Sequence, residues 1–361
     1  MDPRMFRGTL LAALIFLLVQ LGALALVPTF DAAGYQAVED PSDPTNSLVY
    51  IGAILVATAA MLAAFRFNAA WTVRAVVLFS SGLLSWYVFS AIVPPVLVVQ
   101  TGAGYVELLS LALAAGVSLA LYLYPEWYVV DTAGVVMGAG AAGLFGISFG
   151  VLPAIVLLSV LAVYDAISVY GTEHMLSLAE GVMDLRVPVV LVIPLSLSYS
   201  LLDDDFSGAS DVHEDDEDSP ETETESKNGE EQTAVADGDG VAESAEQDDI
   251  DDTDDTDDAG RDAFFIGLGD AVMPTVLVAS AAFFSPAAAF GFGAIPALNL
   301  PALLAMVGTF LGLGVLMWAV AKGRAHAGLP LLNGGAIGGY LVGSVLAGVS
   351  LVQALGLAPY L

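Results

Sequence analysis

Nine stretches of this sequence run for about twenty residues with almost no charge, at 8–30, 48–65, 71–93, 103–124, 128–150, 152–172, 263–286, 300–321 and 329–355. About twenty apolar residues at a helical rise of ~1.5 Å span the hydrocarbon core of a bilayer, and a helix satisfies its own backbone there. A water-soluble domain could not cover that much apolar surface. The pattern therefore predicts an all-α membrane protein, a polytopic bundle of nine transmembrane helices. The first run follows MDPRMFR and resembles a secretory signal, but it is too long for the apolar core of one and no small-residue cleavage site follows. It reads as a retained first helix.

Charge is concentrated rather than spread. Of the 40 acidic residues, 27 lie between Asp203 and Asp262, and they dominate the formal charge of −31. That stretch has too few apolar residues to fold and reads as a disordered, solvated loop, of a kind suited to a salt-rich cytoplasm. The chain divides accordingly into helices 1–6 (1–172), a loop (173–262) and helices 7–9 (263–361). Within the loop, 187–202 is apolar but short and carries Pro188 and Pro194, so it reads as a membrane-associated or protein-packed segment. Only nine residues are cationic: Arg4, Arg7, Arg66, Arg74, Arg186, Lys227, Arg261, Lys322 and Arg324. With nine spans all of them fall on one side. The positive-inside rule then puts the N-terminus and the acidic loop in the cytoplasm and the C-terminus outside. No nucleic-acid partner is expected; the lipid bilayer is the medium, and self-association is left open.

Ionisable groups inside a bilayer are costly and mark function by default. Glu107 and Asp131 lie near helix ends, where a structural or solvated role is the simpler reading. Asp165, in LLSVLAVYDAISVYG, and Asp270, in AFFIGLGDAVMPTVLV, have apolar sequence on both sides. Asp165 lies eight residues before Glu173 and Asp270 eight residues after Asp262, so continuous helices would put both roughly 12 Å inside the cytoplasmic face. Gly267 and Gly269 remove side chains beside Asp270, which would let another backbone approach it. Two carboxylates a few ångströms apart share one proton; one can act as base towards a water while the other polarises a carbonyl.

Other proteolytic chemistries fail on residue inventory. There is no cysteine, and His174, His213 and His326 are scattered outside the deep spans. Neither a His-Glu-x-x-His zinc site nor a membrane histidine base is available, so no metal and no cofactor is expected. A proton-coupled transporter or channel using Asp165 and Asp270 as a relay remains the alternative. Against it, no internal repeat is visible and the two aspartate motifs differ.

Tyr164-Asp165 in the sixth run, Gly267-Leu268-Gly269-Asp270 in the seventh and Pro330-Leu331-Leu332 at the start of the ninth form an ordered set. It resembles the presenilin and signal peptide peptidase family, most closely its archaeal homologues, over nearly the whole chain. The resemblance implies an intramembrane aspartic endopeptidase with Asp165 and Asp270 as its dyad. Its substrates would be single-span membrane proteins or leftover signal peptides. The family carries Pro-Ala-Leu at its last helix, where this chain has Leu331 in place of alanine; the literal strings at Pro296 and Pro301 lie on the outer side. In the family the proline region lines the site and helps hold substrate extended, and Pro330 itself would begin the helix or leave an extended segment before it.

Overall fold

The computed structural model describes residues 3–67, 69–101, 104–171, 190–196, 199–202, 263–320, 322 and 327–360. The acidic stretch 203–262 and the segment 172–189 lie outside the described residues. Among the described residues, nine helices of 16 residues or more follow one another: α1 (Pro3–Ala32), α2 (Thr45–Arg66), α3 (Ala70–Ile92), α4 (Leu108–Leu123), α5 (Trp127–Ser148), α6 (Val151–Gly171), α7 (Leu268–Phe284), α8 (Leu300–Val320) and α9 (Gly328–Leu346). Seven are long and apolar enough to cross a membrane by themselves; α4 and α7 are shorter. A short α10 (Leu351–Ala354) and a single 3-10 turn (Ala358–Tyr360) follow α9.

Four of the expected spans begin or end five or more residues elsewhere. The first span is already helical from Pro3 rather than 8. The fourth does not start at 103, because Val98–Thr101 (β1) and Gly104–Glu107 (β2) pair as an antiparallel hairpin before α4. The ninth stops at Leu346 rather than 355, with Gly348 in the left-handed region at φ 78° turning the chain towards α10. The seventh is the consequential case. Ala263–Gly267 is not helix but a strand, β4, paired antiparallel with β3 (Val190–Pro194) in the register Val190↔Gly267 to Pro194↔Ala263. A strand advances ~3.3 Å per residue against ~1.5 Å for a helix, so five extended residues cover the length of about three helical turns and α7 can be short.

α7 is the hub of the bundle. Nearly every residue from Ala271 to Ala282 is buried, against α5, α6, α8, α9 and α1. A helix hidden from lipid needs no polar stripe, which is why it is apolar on every side. α2 lies at the other extreme. Its contacts with the bundle include Tyr50, whose ring packs on Phe145 and Phe149, and Ser47 Oγ, which donates to Pro153 O at 2.7 Å. α8 and α9 meet backbone to backbone. A methyl group at Gly308 would overlap the Gly335 carbonyl, and one at Gly312 would overlap the Leu331 carbonyl. Without a hydrophobic drive between helices in lipid, such close van der Waals approach is what binds them.

Candidate active site

Asp165 lies six residues before the end of α6, and Asp270 is the third residue of α7. The helix carrying Asp270 thus starts just before it, and the depth is set by β4 rather than by two turns of helix. Asp165 is buried and Asp270 partly so. Both converge on the first turn of α9. The Leu329 N–H donates to Asp165 Oδ2 at 3.0 Å. A Cβ on Gly328 would stand 3.1 Å from Asp270 Oδ2, a contact that even a methyl group would make tight. The first four amides of a helix lack intrahelical acceptors and carry the positive end of its dipole. The N-terminus of α9 therefore meets the carboxylate pair with a donor and a favourable field.

This places the close approach differently from the sequence reading. A Cβ on Gly269 would meet nothing within 4 Å, and one on Gly267 would meet only the Asp270 carboxyl, at 3.7 Å. The tight backbone belongs to Gly328; Gly267 and Gly269 leave open space. Pro330 does not begin α9 either. The helix starts two residues earlier, with Ala327 as its cap, so Pro330 occupies a first-turn position where a missing N–H costs nothing. Leu331 and Leu332 face the bundle: the Leu331 backbone lies on Gly312, and Leu332 is fully buried beside Leu313 and Leu316. Leu268 packs on α5 near Gly138, and Tyr164 is 44% exposed on the outer face of α6.

Two acids outside the pair hold the strands. Asp131 is not solvated: it is buried on α5, and its Oδ1 accepts from the Val192 N–H at 2.8 Å. Glu126 accepts from Ser200 Oγ at 2.7 Å and from the Leu201 N–H at 3.1 Å. Together they tie the β3 segment to the start of α5, and through the β3–β4 ladder they fix the strand that leads to Asp270. Glu107 accepts from Ser110 Oγ at 3.1 Å at the start of α4. Among the described residues no group of three or more His, Asp or Glu could hold a metal. Sequence reasoning missed Gly328 and Leu329; the only visible signal was Gly-Leu directly before the Pro-Leu-Leu string.

A carboxylate pair, one member of which accepts a backbone N–H, can activate water. The profile of one family, described as signal-peptide peptidase, presenilin aspartyl protease, matches residues 13–349. The chain belongs to this family. It is an intramembrane aspartyl protease, and the transporter reading is not favoured. Among solved structures, a presenilin family intramembrane aspartate protease in space group C222 is similar at 32% identity and a TM-score of 0.57, over 94% of this chain and 99% of the other. A presenilin family intramembrane aspartate protease in space group P2 is similar at 32% identity and a TM-score of 0.55, over 92% and 96%. No match was found among curated proteins.

Proposed function

We propose that Asp165 and Asp270 are the catalytic dyad, holding one proton between them and hydrolysing a peptide bond within a transmembrane segment. The observation that carries this reading is their convergence on Gly328 and Leu329. The ionised carboxylate takes a proton from a water, whose oxygen adds to the scissile carbonyl carbon. The protonated partner gives its proton to the carbonyl oxygen, producing a neutral gem-diol. Collapse returns one diol proton to the dyad and moves the proton held by the base to the amide nitrogen; the C–N bond breaks, and the dyad regains its single proton. Substrates are single-span proteins or leftover signal peptides arriving through the bilayer. Val163, Tyr164 and Ile167, all exposed beside Asp165 on α6, offer them an apolar surface. Helical amides hide their carbonyls in hydrogen bonds, so the scissile stretch must unwind; the extended backbone beside Asp270 is the β3–β4 ladder, not the Pro330 turn. Both acids come from one chain, so the chemistry does not require self-association. Purified protein in detergent is expected to cleave a generic transmembrane peptide, and a transition-state inhibitor of aspartic proteases to block it. Cleavage insensitive to such an inhibitor would overturn the dyad reading.

The same reading puts the N-terminus, the acidic loop and the site near the cytoplasmic face, with the C-terminus outside. It is supported by Arg66 at the end of α2, Arg74 near the start of α3 and Lys322 just after α8. The chain has no cysteine, so single cysteines can report topology directly. A cysteine in place of Ser207 should react with an impermeant thiol reagent only after the cells are opened, and one at Leu357 in intact cells. The opposite pattern would invert the topology.

A further inference from the structure

Asn333 is fully buried in α9, one helical turn beyond Leu329, with apolar neighbours on either side in sequence and space. Its Nδ2 donates to the Leu158 carbonyl of α6 at 3.0 Å, while its Oδ1 is buried and has no partner. Leu158 lies seven residues, two turns, before Asp165, so both sit on the same face of α6. Leu329 and Asn333, four residues apart, likewise share one face of α9. Along this seam the two antiparallel helices are therefore joined at two heights: Leu329 N–H to Asp165, and Asn333 to Leu158. Behind α9, the flat contacts of Gly308 and Gly312 press α8 on its backbone. Apolar contacts and glycine surfaces are directionless and leave axial sliding soft, whereas a buried side-chain hydrogen bond has one position.

We infer that Asn333 is a positioning residue, which sets the axial register of α9 on α6 and so holds the Gly328–Leu329 backbone against the carboxylates. This rests on Asp165 and Asp270 being the dyad. A buried amide oxygen without a partner is a net cost to folding. Leucine has the same number and branching of heavy atoms and would avoid it. Stability alone therefore does not account for an asparagine here; the directional bond to Leu158 does.

The two roles separate experimentally. In Asn333→Leu, measured well below its unfolding temperature, kcat for a transmembrane peptide should fall about tenfold with KM within about twofold, since a sub-ångström slip misplaces the reacting groups rather than the substrate's apolar contacts. Affinity for a transition-state inhibitor should weaken by a similar factor, while Tm stays at or above that of the parent. Asn333→Ala guards against poor packing of the larger side chain and should show the same kcat loss. Asn333→Gln keeps a donor and should recover part of it. Full kcat and inhibitor affinity in folded Leu and Ala variants would overturn the inference. So would kcat losses that merely track falling Tm across the three. Asp165→Asn run alongside keeps the two claims apart: if it still cleaves, the dyad reading fails; if it is dead while Asn333→Leu is fully active, only the positioning role fails.

Discussion

Asp165→Asn and Asp270→Asn should each abolish peptide cleavage, by about 10⁴-fold or more, in protein that remains folded and membrane-inserted. An amide can neither take a proton from water nor share one with its neighbour. Members of a unit that acts together cost nearly as much singly as jointly, so the double variant should be no worse than either single one. Folding should survive because Asp165 is buried with a single backbone donor and Asp270 lies at the partly exposed start of α7. Peptide cleavage with thermal unfolding as the control measures both halves of the result. Near-parental turnover in either variant would remove the dyad assignment.

Gly328→Val should lower kcat about a hundredfold with little change in Tm. The glycine is partly buried, and a Cβ there stands 3.1 Å from Asp270 Oδ2 and 3.5 Å from Leu316 Cδ2, so a branched side chain must push the carboxylate or the first turn of α9 aside. Gly328→Ala should give a smaller loss, because a single methyl needs a shift of only a few tenths of an ångström. Pro330→Ala is the informative contrast. If Pro330 started the helix, its replacement would lengthen α9 and disrupt the site. α9 already begins at Gly328, so Pro330→Ala only adds one more free amide to a first turn. Its kcat should stay within a few-fold of the parent. Pro301→Ala should also be nearly silent, since Pro301 lies in the first turn of α8, against Gly343 at the far end of α9. A dead Pro330→Ala beside a fully active Gly328→Val would mean that the proline, not the glycine, frames the carboxylates.

The positions of the helices were readable because a bilayer makes the same demand at every point of a span. Any residue between Val151 and Gly171 must be apolar or explained, so Asp165 stands out against its run without any knowledge of its neighbours. The same demand singled out Asp270 and, with the absence of cysteine and of deep histidine, narrowed the proteolytic chemistry to a carboxylate pair. Asp131 and Glu126 show where that reasoning thins. Near a span's end an acid can be wet or buried, and composition does not distinguish the two; only the packing of β3 on α5 decided it.

Tertiary structure decided the features that depend on partners remote in sequence. AFFIG is as apolar as a helix start, and only its pairing with Val190–Pro194, some seventy residues earlier, makes it a strand and sets the depth of Asp270. The amide that reaches Asp165 belongs to the backbone of Leu329, and every residue but proline carries one, so no side-chain pattern announces it. Gly267 and Gly269 looked like the close approach because they neighbour Asp270 in sequence, yet Gly328, 58 positions away, makes it. The sequence by itself determined what must lie in the membrane and which two acids are out of place there, because solvation acts on each residue separately. Which backbone meets those acids was left to the bundle, because a contact depends on how α6, α7 and α9 pack and not on the identity of either residue alone.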